Sequence, residues 1–138
     1  MILTVIKDFF VSKKRIPDSF EKEFTLLGTY NVSILIKKWS LDEYTLFIIF
    51  KNASKTDIAQ SPVKFVEEFF MPVLDVFFRK LDINIIEEKI EIDCKERKDL
   101  YIMITINEKE KEVIERNITY LEKVIGEVVV RWREGLIF

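Results

Sequence analysis

A lysine and several carboxylates form the best catalytic candidate in this sequence. Asp82 follows a long apolar segment, and Glu91, Asp93 and Lys95 alternate with apolar residues on a predicted strand. Two carboxylates can hold Mg²⁺ while a nearby lysine positions or activates a water molecule. Asp93 and Lys95 would point to the same side of the strand, as this chemistry requires.

An acid followed by acid-x-Lys resembles the metal-binding signature of the PD-(D/E)xK nucleases. The resemblance implies a Mg²⁺-dependent nuclease that uses Asp82, Asp93 and Lys95. That family places further strands between its first helix and the signature strand, whereas here only residues 82–88 separate Leu81 from Lys89. Alternation alone predicts a solvated face for these charges, and we favour that interpretation.

Two residue types that serve many enzymes are scarce. The chain has no histidine, and Cys94 is its only cysteine. It therefore lacks the commonest general base and the commonest metal ligand. Ser-His and Cys-His nucleophile pairs, an internal disulfide and a Cys-cluster zinc site are excluded. We predict no catalytic, metal-binding or cofactor-binding residues, which disfavours an enzyme without excluding one.

Three basic segments, two of them beside a tryptophan, are candidates for binding nucleic acid: 13–15, 37–39 and 131–133. The formal net charge is −2, however, with acids and bases mixed along the chain. Such a balance does not attract polyanions, so we disfavour nucleic acid as a partner. We expect the tryptophans to point inward while the charges point outward.

Length and composition predict a folded chain with one α+β domain over residues 1–138. Hydrophobic residues make up 49% and charged residues 33%, with three Gly and three Pro. Abundant Ile, Lys and Glu suit a thermophile or an AT-rich genome. The first apolar run ends at Lys7, and no run reaches the roughly 20 residues of a membrane span. We therefore predict a cytoplasmic protein.

Residues 2–11 are predicted to form a strand. A short helix is predicted next, because Phe20, Phe24 and Leu27 share a helical face. Asp18 and Glu21 would form a capping box at its start, and Gly28 would end it. Two further strands and a turn at 40–43 predict a hairpin, in which the apolar segment 44–50 is the central strand of a sheet. The two strands span residues 31–39 and 44–51.

The second half predicts two helices and three strands. Ser61-Pro62 begins a helix that runs to about Leu81, with a kink at Pro72. Strands follow at 90–94 and 100–106. Asn107 and Glu110 cap a helix that Gly126 ends, and Val128, Val130 and Trp132 alternate as a final strand. The predicted order is βαββαββαβ in a largely antiparallel sheet with about three helices; its first six elements spell the ferredoxin-like order.

Residues 44–86 resemble the middle of longin-type, SNARE-like domains. In that family an apolar strand leads through a short polar turn into a long helix with Phe and Val at core spacing. Six residues stand where that pattern has apolar residues: Phe69, Val73, Val76, Phe77, Phe78 and Leu81. The family usually has two strands before its first helix and ends in a helix, whereas this sequence predicts one strand and a final strand. The resemblance implies a non-catalytic platform for proteins, often small GTPases or trafficking factors.

The leading functional prediction is a protein-interaction or adaptor module that acts through an apolar surface, by forming a homodimer or binding another protein. Its basis is the number of aromatic residues: the chain has twelve Phe, several in adjacent pairs such as 69–70 and 77–78. One ring of each pair would face the core and the other a partner. A small-molecule-binding regulatory domain of ferredoxin-like type is an alternative, as is the nuclease.

Overall fold

The structure is a computed structural model that describes residues 19–83, 88–89 and 99–137. The strand predicted at 2–11 lies outside these residues, and so does the basic segment 13–15. The strand predicted at 90–94 lies outside them as well. The neighbouring residues 88–89 are described and form a strand. Four predicted residues also fall outside: Glu91, Asp93, Cys94 and Lys95.

Within the described residues, one antiparallel sheet carries three α-helices, which confirms the α+β class. Its strands lie in the order β1-β2-β3-β5-β4, and the structure describes two residues of the last of these. In chain order the elements are β1 (Ser19–Leu26), β2 (Tyr30–Ser40), β3 (Glu43–Lys51), α1 (residues 62–80), β4 (Glu88–Lys89), β5 (Leu100–Ile106), α2 (Glu108–Arg116) and α3 (Ile118–Ile137).

The short helix predicted after Asp18 is wrong, because Ser19–Leu26 is strand β1. Phe20 and Phe24 are four residues apart, a spacing that suits one face of a helix and one face of a strand. The next apolar residue that is buried distinguishes a strand from a helix: Leu26 in a strand, Leu27 in a helix. Leu26 packs against the core, whereas Leu27 is 55% exposed. The period is therefore two, and the correction removes the first helix from the predicted order.

The predicted β2–β3 hairpin is confirmed, and β3 is central because it pairs with both β2 and β5. Side chains of β3 alternate between two buried layers. Leu46, Ile48 and Phe50 face the helices in the main core. Phe47 and Ile49 lie on the other face in a second buried cluster, together with Leu35, Tyr101 and Met103. Burial on both faces explains why this segment is apolar throughout.

Helix α1 begins at Pro62 as predicted, with the proline in its first turn. Residues Phe65–Phe70 form a π-helical stretch, and Met71 donates its N–H to the carbonyl of Val66. Pro72 has no amide hydrogen and its ring would crowd the carbonyl four residues earlier. The wider turn that precedes Pro72 accommodates both effects, so the structure has a π-turn where the sequence predicted a kink.

The capping box at α2 is confirmed. Glu110 N–H donates to Asn107 Oδ1 at 2.8 Å, and Asn107 N–H donates to Glu110 Oε1 at 2.9 Å. The final strand predicted at Val128–Trp132 is wrong, since α3 runs on to Ile137. Val128 and Trp132 are again four residues apart. Val129 is buried and Val130 is 40% exposed, which is the helical arrangement.

Aromatic rings fill the main core instead of facing a partner. Phe77 and Phe78 are both buried, and Phe69 packs edge-to-face on Trp132 with ring centroids 5.2 Å apart. No phenylalanine within the described ranges is exposed. The expectation that one ring of each pair faces outward is therefore wrong for 69–70 and 77–78. These rings pack between the sheet and the helices α1 and α3.

Candidate functional site

A groove of about 570 Å³ separates the β1–β2 turn from the outer face of α3. Its floor and walls include three residues with apolar side chains and one glycine: Leu26, Leu27, Val130 and Gly126. Its rim consists of charged residues of α3: Glu122, Lys123, Glu127, Arg131 and Glu134. We call this feature the α3 groove.

Leu27 forms one wall of the α3 groove from an unusual backbone conformation. Its φ angle is 52°, and that of Gly28 is 67°. Glycine adopts the left-handed region freely, but a leucine there costs about 1–2 kcal/mol. The turn closes through a hydrogen bond from Thr29 N–H to the carbonyl of Leu26 at 3.1 Å. The turn thus holds an apolar side chain in solvent at some cost in stability.

Gly126 keeps the floor of the groove low. It lies within α3, where glycine is less favourable than alanine by about 1 kcal/mol. A Cβ atom at this position would stand 3.6 Å from Leu26 Cδ2, an ordinary contact distance. The glycine therefore leaves the Leu26 side chain accessible, and Val130 stands one helical turn further along.

The rim charges differ in their partners. Lys22 Nζ donates to Glu122 Oε2 at 2.9 Å, which ties β1 to α3 beside the groove. Lys123, Glu127, Arg131 and Glu134 are exposed. Within the described ranges, no ion pair of 4 Å or less includes any of these four. Their charges are thus available to a neighbouring molecule.

A second polar constellation joins β2, the loop before α1 and the end of α3. Asp57 Oδ1 accepts hydrogen bonds from the Tyr30 hydroxyl at 2.6 Å and from Trp132 Nε1 at 3.1 Å. Arg133 Nε lies 3.6 Å from Asp57 Oδ2. Tyr30 and Trp132 are buried, so Asp57 satisfies two donors that would otherwise lack partners.

The chemistry of this constellation is structural. Burial, followed by the hydrogen bond to Asp57, raises the pKa of Tyr30 to about 12, although Arg133 acts in the opposite direction. A phenol with this pKa stays protonated near neutral pH and serves as a donor. The two hydrogen bonds and the ion pair fix the Asp57 carboxylate, and through it α3 is held to β2.

A smaller cavity of about 330 Å³ lies near Asn52, at the end of β1, the start of β2 and the end of β3. Its polar groups bind one another. The Thr25 hydroxyl donates to Asn31 Oδ1 at 2.9 Å, and Lys51 forms an ion pair with Glu23. These contacts use several of the polar atoms that line the cavity.

The predicted nuclease residues are only partly visible. Asp82 is exposed just after α1, with a φ angle of 59° at the turn that ends the helix. Asp93 and Lys95 lie outside the described residues, so their convergence with Asp82 stays a prediction. In the part of the chain that the structure describes, no three His, Cys, Asp or Glu side chains are grouped to hold a metal ion.

The two tryptophans behave differently. Trp132 points inward and Arg131 and Arg133 are exposed, as expected, although they lie on a helix. Trp39 is 48% exposed and Lys37 is buried, the reverse of the expectation. Lys37 pairs with strands on both sides, whereas Trp39 stands at a register shift near the end of β2.

The sequence did not reveal the α3 groove, because Leu27 and Val130 are far apart in the chain and both belong to segments whose secondary structure was predicted wrongly. No helix in the described ranges has the length and apolar character needed to cross a membrane. Comparison with known proteins gives no match to any protein family, curated protein or solved structure.

Proposed function

We propose that this protein is a non-enzymatic interaction or adaptor module and that the α3 groove is the surface that contacts another protein. The observation that carries this proposal is the pair of exposed apolar side chains, Leu27 and Val130, on opposite walls of one open groove. Apolar surface that stays in solvent in a folded chain, rimmed by charge, is typical of protein contact sites.

The conformation of Leu27 supports the same proposal. A turn that needs a left-handed residue is usually served by Gly or Asn, and here leucine occupies the place at a cost in stability. Local strain of this kind is concentrated at functional sites. The side chain that results is exposed and lies at the groove, so binding a partner would remove apolar surface from water.

The shape of the groove favours a helical segment over a small molecule. The groove follows α3 for about twelve residues, from Glu122 to Glu134, which corresponds to roughly 18 Å of helix. A small-molecule site encloses most of its ligand and aims a few polar groups at it. This groove is open, and its polar groups stand along the rim, as in sites where an amphipathic helix docks.

The longin-type resemblance of residues 44–86 agrees with this proposal. That family usually ends in a helix, and this chain has α3 where the sequence predicted a strand. A longin-like arrangement is part of this proposal, and so is a small GTPase or trafficking factor as a partner. The ferredoxin-like order is not proposed, because it needs a helix where the structure has strand β1.

Two valine substitutions test the proposed function. Val130 is 40% exposed in the groove, and Val76 is 42% exposed on α1, so Val76→Asp is a matched control for Val130→Asp. The free energy of unfolding of each variant should lie within about 0.5 kcal/mol of the wild-type value, because each substitution changes an exposed side chain. The wild type and both variants are immobilised and exposed to extract of the source cells, and each retained protein is then purified and titrated.

We expect a protein, either another chain or a second copy, that binds the wild type and Val76→Asp with equal affinity and binds Val130→Asp at least about tenfold more weakly. Binding that survives Val130→Asp unchanged, or the absence of any saturable partner, would contradict the proposal.

A further inference from the structure

We infer that the α3 groove binds the α3 helix of a second copy of this chain, with the two helices antiparallel. This inference rests on the proposed function and specifies its partner. It comes from the charges on the outer face of α3, which are complementary to themselves when one helix is reversed.

The outer face carries a regular stripe. Lys123, Glu127, Val130 and Glu134 follow one another at intervals of four, three and four residues and line the groove. This spacing places them along one side of a helix in the way that residues of a helix–helix seam are placed. Val130 is the apolar member of the stripe.

A two-fold axis between the levels of residues 128 and 129 makes this stripe complementary. Lys123 then lies level with Glu134 of the second copy, and the symmetry repeats the pair. Glu127 lies level with Val130 of the second copy, whose methyl groups can pack on the methylene groups of the glutamate. Arg131, at the edge of the stripe, comes near Glu127 of the second copy. Four opposite-charge pairs form in all: two between Lys123 and Glu134, and two between Arg131 and Glu127.

A parallel pairing of the same helices is unfavourable. It brings Lys123 to Lys123, Glu127 to Glu127 and Glu134 to Glu134, so every charged level of the stripe is repulsive. The charges therefore select direction as well as partner, which is a common role of charges beside a helix seam.

The alternative use of these charges is within α3 itself. Lys123 and Glu127, and Glu127 and Arg131, are four residues apart and have the spacing of intrahelical ion pairs. The described part of the chain has such a pair at Lys111 and Glu115, at 3.1 Å, but none at these α3 positions. The stripe thus keeps its charges for an external partner.

Charge reversal and charge exchange test this inference by sedimentation equilibrium. The wild type should be a dimer with a dissociation constant of about 10–100 µM, as suits a contact of modest size. Lys123→Glu and Glu134→Lys should each weaken self-association at least about tenfold, since each creates two repulsive pairs. The double variant, Lys123→Glu with Glu134→Lys, should associate like the wild type.

A mixture of the two single variants gives the sharpest result. Lys123→Glu has two acids where Glu134→Lys has two lysines, so the mixture should form a heterodimer with about the wild-type affinity, although each variant alone self-associates at least about tenfold more weakly. Recovery on mixing also shows that each variant is folded. The control is Lys109→Glu, which makes the same charge change at an exposed residue of α2 and should leave self-association unchanged.

Two results would overturn the inference. The first is a wild type that stays monomeric up to about 1 mM. The second is a dimer that both single variants form as well as the wild type, since such a dimer would use another surface. Either result leaves the proposed function intact if another protein still distinguishes Val130→Asp from Val76→Asp. Loss of that distinction would remove both.

Discussion

Gly126 of α3 lies against Leu26 at the end of β1, so that a Cβ atom at position 126 would stand 3.6 Å from Leu26 Cδ2. The contact is close enough to define the floor of the α3 groove and wide enough to admit a methyl group. Packing in the chain alone therefore does not require glycine here, whereas the contact that we propose at the α3 groove favours it.

The first prediction concerns this glycine. Gly126→Ala should raise the free energy of unfolding by about 0.5–1 kcal/mol, because alanine is the better helix former and its methyl group fits. The measurement is urea unfolding followed by circular dichroism. Gly28→Ala is the contrasting variant: Gly28 has a φ of 67°, so alanine should destabilise the turn by about 1 kcal/mol. A change of the same sign in the free energy of unfolding of both variants would contradict this prediction.

The second prediction separates stability from binding at Leu27. Leu27→Asn should leave the free energy of unfolding unchanged or raise it by up to about 1 kcal/mol, because asparagine tolerates the left-handed region better than leucine. The same variant should weaken binding at the groove at least about tenfold, since it removes an exposed apolar side chain. Unfolding in urea and sedimentation measure the two effects. Unchanged association would show that Leu27 takes no part in the contact.

The third prediction concerns the acceptor that joins β2 and α3. Asp57→Ala should lower the free energy of unfolding by about 2–3 kcal/mol, because the buried Tyr30 hydroxyl and Trp132 indole lose their acceptor. Asp57→Asn keeps one acceptor oxygen and should cost about half as much. Thermal and urea unfolding of both variants provide the comparison, and equal losses would mean that hydrogen bonding is not what matters at this position.

The fourth prediction is a pH dependence at Tyr30. Its pKa is raised from 10.0 to about 12 in the folded protein, so the unfolded chain loses this proton first as pH rises. The contribution is fully present below pH 10 and is lost as pH rises toward 12, by at most about 3 kcal/mol. Urea midpoints measured from pH 9 to pH 12 should fall, and Tyr30→Phe should remove this part of the decline. An identical decline in the variant would assign it to other groups.

The sequence predicts elements well where one period explains the apolar residues. The β2–β3 hairpin, the apolar central strand β3, the start of α1 at Pro62 and the Asn107 cap all follow from local chemistry. Both wrong elements share one physical cause. Phe20 with Phe24, and Val128 with Trp132, are four residues apart, which suits a helix and a strand equally. Only the burial of a third residue, Leu26 in one case and Val129 in the other, decides between them.

The candidate site was beyond sequence patterns for a related reason. The stripe from Lys123 to Glu134 is regular only on a helix, and part of that segment was predicted as a strand. Leu27, on the opposite wall of the α3 groove, was predicted to lie on the apolar face of a helix. The two walls meet because β1 and α3 pack together, which no local pattern indicates.

The most direct test of the account is a dilution series followed by ¹H–¹⁵N correlation spectra of the wild-type chain. If two copies meet at the α3 groove, the backbone signals that shift with concentration should be concentrated at residues 26–27 and 122–134. Signals around Val76 on α1 should stay constant. Shifts centred on α1, or spectra that do not change up to about 1 mM, would contradict it.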